Sequence, residues 1–141
     1  MRKALILVVD DNAKYREWLA WILERYGFET ISGKSGWEAV ELAIKCRPAL
    51  VLMDLNMPGM NGYEAARAIH AEPRTRGIPV VAVSADCGDC GVERWAFKAG
   101  FIACLAKPWK PEALLKIVTM VLGRHVERPR ASKRSDRKSV V

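Results

Sequence analysis

"ALVLMD", residues 49–54, is an unbroken apolar run closed by a single carboxylate. A strand with one face in water alternates apolar and polar residues, whereas a run without alternation needs cover on both faces. The same composition returns in "ALILVV" (4–9) and "PVVAVS" (79–84), and less purely in "FETIS" (28–32) and "FIACLA" (101–106). Between these runs the apolar spacing changes to that of helices. Leu19, Ile22, Leu23 and Tyr26 share one helical face, as do Ala39, Val40 and Ala43, and Leu114, Ile117, Val118 and Val121. Gly27, Gly77 and Gly100 stand where helices would stop, and Pro48 and Pro79 where strands would begin. Alternation of strand and helix predicts an α/β fold, a doubly wound parallel sheet with helices on both faces. Right-handed crossovers then bring the C-terminal ends of all strands to one edge, where open α/β sheets bind ligands.

The residues that end the strands therefore carry the functional reading. The first strand runs into Asp10, Asp11 and Asn12, the third into Asp54, the fourth into Ser84 and the fifth into Lys107 and Pro108. Each alone is ordinary: an Asp or Asn after a strand commonly caps the next helix, and Asn12 suits that role. Gathered at one rim, three carboxylates, a hydroxyl and an ammonium suit phosphoryl transfer. Clustered carboxylates take a hard cation such as Mg2+. One of them can act as a nucleophile toward phosphorus. A cation, an ammonium and a hydroxyl can neutralise the oxygens of the transferred group.

"LVVDDN", "LVLMDLNMPGMNGYEA", "VVAVSA" and "AKPW", in this order over roughly residues 4–123, resemble the receiver domain of two-component response regulators. The resemblance implies a flavodoxin-like, five-stranded sheet of order 2-1-3-4-5, with Asp54 as the phosphoacceptor. It implies Mg2+, with Mn2+ as an alternative ion, held by Asp10, Asp11, Asp54 and the backbone carbonyl of Asn56. Ser84 would be the switch hydroxyl and Lys107 the partner of the phosphate, with a cis peptide before Pro108. Asn56 and Asp86 flank the site and are where the lifetime of the phosphoryl group would be set. The phosphodonor would be a histidine kinase or a histidine phosphotransfer protein, docking on Tyr15, Trp18 and Trp109, with Trp21 beside them. The product would signal to a downstream protein, and a phosphorylation-dependent homodimer stays open. In this reading the protein is not an enzyme with a separate substrate; it catalyses only its own phosphorylation and dephosphorylation. One position departs from the family: the aromatic residue expected three places before the lysine is Cys104, and Phe101 lies three positions too early to replace it.

The chain has four cysteines, two of them in "DCGDCG" (86–91). Structural zinc normally takes four ligands, and Cys46, Cys104, His70 and His125 offer no second pair at metal-binding spacing. In the fold the resemblance implies, the position of Cys104 faces this loop, so Cys87, Cys90 and Cys104 are expected near one another, either with a disulfide among them that biases the switch loop or as small, semi-buried residues. With 141 residues, half of them hydrophobic, the chain has the material for one core. The expected division is a receiver domain over 1–124 and a basic tail over 125–141. More than half of the net charge of +7 lies on that tail, where six basic residues face Glu127 and Asp136. Through charge alone it would touch nucleic acid only weakly, and with strong salt dependence. The opening run is cut by Asp10 and Asp11, too early for a signal peptide or a membrane span, so a cytoplasmic location is expected. Two other classes fit less well. A haloacid-dehalogenase-type phosphatase would place its nucleophile after the first strand, and a phosphorylation-independent adaptor would leave the acidic set without a use.

Overall fold

The computed structural model describes residues 3–123. Five strands alternate with five helices: β1 Leu5–Val9, α1 Ala13–Arg25, β2 Glu29–Gly33, α2 Gly36–Cys46, β3 Leu50–Met53, α3 Gly62–Ala71, β4 Val80–Ser84, α4 Cys90–Ala99, β5 Ala103–Ala106 and α5 Pro111–Leu122. The strands form one parallel sheet in the order β2-β1-β3-β4-β5. The expected basic tail, 125–141, lies outside the described residues.

The apolar runs are explained by what covers them. Successive side chains of a strand point to opposite faces. Leu7, Val9, Val51, Met53, Val80 and Ala82 accordingly enter a core closed by α2, α3 and α4. Ile6, Val8, Leu50, Leu52, Val81 and Val83 enter a second core closed by α1 and α5. Both faces of β1, β3 and β4 are dry, and each large aliphatic side chain taken out of water there contributes roughly 1.5–3 kcal/mol. Ala39, Ala43, Ala65, Ala66, Ala96 and Ala99 line the first core, so its helices need little clearance from the sheet and from one another.

Two boundaries differ from the sequence reading by more than one residue. The fifth strand begins at Ala103, not at residue 101. Gly100, in the left-handed conformation, ends α4, and the Phe101 amide still donates to the Ala96 carbonyl. Phe101 is thus the plug of the helix-to-strand turn, only 2% exposed and edge-on to Tyr63. Gly77 does not end a helix either. α3 stops at Ala71 because Pro73 pushes Glu72 out of helical backbone geometry. The buried Thr75 hydroxyl then donates to the Ile69 carbonyl (2.6 Å) and secures the turn that follows.

Candidate active site

Backbone pairing sets the height at which each side chain leaves the sheet. The amide of Asp10 donates to the Gly33 carbonyl, that of Asp54 to Val9, and that of Lys107 to Ser84. Asp10 and Asp54 therefore leave neighbouring strands side by side, since Val9 and Met53 are register partners. Ser84 ends β4 next to β5. The Lys107–Pro108 peptide is cis.

Asp10, Asp54 and Ser84 are almost wholly buried, and Asp11 is exposed at the mouth. Carboxylate oxygens of Asp10, Asp11 and Asp54 all lie within 4.8 Å of one another. The Lys107 ammonium reaches in from β5 and pairs with Asp10 at 2.7 Å and Asp54 at 3.3 Å. Burial raises the Asp54 carboxyl above the usual carboxylate range; Lys107 opposes the shift, and the charge of Asp10 adds to it. For Lys107, burial alone would favour the neutral amine. The hydrogen bond to Asp10 and the charges of Asp54 and Asp10 outweigh that, so the ammonium is held charged above its ordinary range. Three carboxylates facing one ammonium make an anionic centre with an all-oxygen donor set, the kind that suits a small hard cation.

Two loops close the mouth. The Asn56 amide nitrogen donates from its side chain to Ser84 Oγ (3.3 Å) and to Asp86 Oδ2 (2.8 Å), linking the β3–α3 loop to the β4–α4 loop. The Asp86 backbone N–H also donates to Ser84 Oγ (3.3 Å). Ser84 thus accepts in both of these bonds and keeps its own proton to donate. The β3–α3 loop depends on Gly62, which the sequence reading did not single out. The Gly62 N–H donates to the Leu55 carbonyl (2.9 Å), and a side chain there would fall on the carbonyl oxygen of Asp54, 2.8 Å from Leu55 Cα. The first turn of α3 therefore rests directly on the backbone that presents Asp54. Only the neighbouring capping box, Asn61 with Glu64, is visible in the sequence.

Asn12 is the N-cap of α1, as its residue type suggested, and accepts from the amides of Lys14 and Tyr15. Tyr15, Trp18 and Trp21 follow at three-residue steps along α1. Trp109 is buried (4% exposed) and stacks on Trp18 with centroids 4.5 Å apart, so it supports the patch from beneath. Trp18 and Trp21 present the surface, and the Arg25 guanidinium lies 4.8 Å from the Trp21 ring.

Of the cysteines expected to be neighbours, Cys87 and Cys104 meet and Cys90 stands exposed; all are free thiols. Cys104 is the register partner of Ala82, and the Cys87 thiol points at the Ala82 carbonyl (3.9 Å). The closeness of the two thiols lowers the pKa of Cys87 and, with burial, pushes that of Cys104 far above the ordinary thiol range. The place where an aromatic switch residue was expected is filled by this thiol pair. Among the described residues, the group of side chains placed so that it could hold a metal ion is the acidic one at the sheet edge.

A doubly wound parallel sheet with an acidic cluster, a hydroxyl and an ammonium at its C-terminal edge defines a phosphorelay receiver. The chain belongs to the response regulator receiver domain family, which it matches over residues 6–119. It is 35% identical to protein PilH of Pseudomonas aeruginosa, over 85% of this chain and 98% of that one. It is 36% identical to the DNA-binding response regulator MtrA of Mycobacterium tuberculosis, over 88% of this chain but only 53% of that protein. The chain superposes with a TM-score of 0.80 on the receiver domain of the sensor histidine kinase PA1611 from Pseudomonas aeruginosa, at 30% identity, covering 86% of this chain and 99% of that one. That structure holds a magnesium ion in its active site cleft. No helix among the described residues is long and apolar enough to cross a membrane.

Proposed function

We propose that Asp54 accepts a phosphoryl group from the phosphohistidine of a histidine kinase or a histidine phosphotransfer protein. The observation that carries this is the buried Asp54 carboxylate, crowded by Asp10 and Asp11 and faced by Lys107. A carboxylate oxygen of Asp54 forms a bond to phosphorus as the P–N bond to the donor imidazole breaks, and the imidazole leaves with the bonding pair. Asp10, Asp11, Asp54 and the backbone carbonyl of Asn56 would hold Mg2+, or Mn2+ in its place. Bound there, the ion would screen the carboxylates from one another and offset charge on the phosphoryl oxygens. Lys107 already spans Asp10 and Asp54, so small changes of its chain bring the ammonium to a phosphoryl oxygen. Ser84 donates its remaining proton to another.

Asn56 and Asp86, bonded to each other across the mouth, would meter the entry of the water that ends the phosphorylated state. The protein's work is its own phosphorylation and dephosphorylation in a cytoplasmic relay, with output through contacts to a further protein. Trp18, exposed beside the site and backed by Trp109, is the surface against which the donor would dock. Trp18→Ala is expected to slow transfer from the cognate kinase at least fivefold, the usual scale for truncating an interface aromatic; stopped transfer assays on protein of unchanged melting temperature would measure it.

The reading is tested by intact-mass spectrometry after incubation with Mg2+ and acetyl phosphate. One phosphoryl group is expected, and none when EDTA is present. A phosphorylation-independent adaptor remains the second reading because Cys104 replaces the aromatic switch residue; a folded, Mg2+-binding protein that takes no phosphoryl group from either acetyl phosphate or a kinase would favour it.

A further inference from the structure

Lys107 has a third neighbour besides its two carboxylates. Its ammonium sits 4.4 Å from the centroid of the Tyr15 ring. Tyr15 leans on Trp18 (centroids 6.5 Å apart), Trp18 stacks on Trp109, and Trp109 follows Lys107 by two residues. These contacts make a closed circuit from the ammonium, through three rings of α1 and the β5–α5 loop, back to its own backbone. The Trp109 indole N–H is buried without an acceptor. The circuit is thus held by ring packing and by the charge on Lys107, and indole hydrogen bonding adds nothing to it.

We infer that Tyr15 is a positioning residue for phosphoryl transfer: its ring face holds the Lys107 ammonium at the reacting edge and keeps water from it. This rests on the phosphoacceptor reading above and deepens it. The physical case is one of partition. A lysine on a flexible stem has many rotamers, and ordering it at the instant of transfer would cost conformational entropy. Two carboxylates pull it into the site, yet both are committed elsewhere once a cation and a phosphoryl group arrive. Unlike the carboxylates, the ring keeps its attraction for the ammonium when a cation and a phosphoryl group arrive. Cation–π attraction is stronger where the cation is withdrawn from water, and the Lys107 side chain is only 10% exposed. Tyr15 in turn is fixed by its place in the first turn of α1, where the Asn12 cap bonds its amide, and by Trp18.

The test uses acetyl phosphate, which makes no docking contact with α1 and so separates positioning from partner recognition. Wild type, Tyr15→Leu and Tyr15→Phe are compared in the full chain for the rate of phosphoryl incorporation, for Mg2+ affinity from tryptophan fluorescence, and for melting temperature. Tyr15→Leu, which keeps apolar bulk and removes the π face, is expected to slow incorporation about three- to thirtyfold, the range spanned by a partly to well desolvated cation–π contact. Mg2+ affinity should change less than about twofold, because the ring touches none of the carboxylates. Tyr15→Phe should recover most of the rate. Equal rates in Tyr15→Leu and wild type would overturn the inference, leaving the ring as mere cover. A Phe variant as slow as the Leu variant would overturn it too, and assign the effect to the hydroxyl. A fall in rate matched by an equal fall in Mg2+ affinity would mean a distorted acidic cluster. A wild type that takes up no phosphoryl group sinks the phosphoacceptor reading first, and the positioning role with it.

Discussion

Asp54→Asn is expected to abolish phosphoryl incorporation from acetyl phosphate and, in the same protein, to raise its melting temperature in the absence of divalent cations. The loss follows from chemistry: an amide oxygen is too weak a nucleophile toward phosphorus, and neither Asp10 nor Asp11 is placed as Asp54 is beside Ser84, Asn56 and Lys107. The gain in stability follows from crowding. Asp54 is buried, its pKa is raised by that burial and by Asp10, and Lys107 compensates only in part. A carboxyl whose folded-state pKa lies above its unfolded value binds its proton more tightly in the native protein. Its charge therefore costs stability, nothing below the unfolded pKa near 4 and the full amount above the folded pKa. The cost therefore grows as the pH rises from near 4, and the asparagine removes it. Lys107 keeps its shorter bond to Asp10 in the variant. The expected gain is on the order of 1 kcal/mol, the scale of one uncompensated charge contact, or about 3–5 °C in a domain of this size. Melts of both proteins from pH 3 to pH 8 would check the sign: the curves should meet at the acid end and part as the pH rises. Mg2+ should lift the wild type more than the variant, because it too relieves the crowding.

Gly62→Ala is expected to cost about 1–3 kcal/mol, the range for forced shifts of packed backbone, and to slow phosphoryl incorporation by about a hundredfold. The added methyl would meet the Asp54 carbonyl and Leu55 Cα, which are main-chain atoms with no rotamer to escape into. Either α3 lifts from the sheet, or the chain after β3 moves and carries Asp54 and Asn56 with it. Displacement of a reacting group by about 1 Å is enough for a rate loss of this size. Gly77→Ala is the control. Its methyl would meet nothing within 4 Å, so the substitution should be neutral or slightly stabilising, through a less flexible unfolded chain. Urea unfolding of the two variants, with incorporation rates on the folded fractions, separates the local clash from a general intolerance of side chains at glycine positions.

The cysteines show how a contact can be half visible in a sequence. "DCGDCG" suggests a pair by its spacing, yet the residue that Cys87 meets is Cys104 from another strand, and Cys90 faces solvent. Proximity along a loop says little once a helix starts within it, because successive helical positions turn through most of a right angle or more. Phe101 teaches the same point. Its aromatic character fits a switch residue, but Gly100 turns the chain before it, and the ring is spent in the core.

The sequence by itself determined the sheet, its double cover and the set of residues at its edge. Unalternating strands need both faces buried, and right-handed crossovers then leave Asp10, Asp54, Ser84 and Lys107 at the ends of parallel strands on one side. These are consequences of period and handedness, which a linear string carries. Only the tertiary structure decided that Gly62 rests on the Asp54 carbonyl, that Asn56 reaches Asp86, that Cys104 meets Cys87 and that the Tyr15 ring lies over Lys107. Those contacts join residues from different elements at distances of a few ångströms. Such distances depend on how closely two helices and a loop approach the sheet, and that is set by side-chain volume and packing, not by pattern.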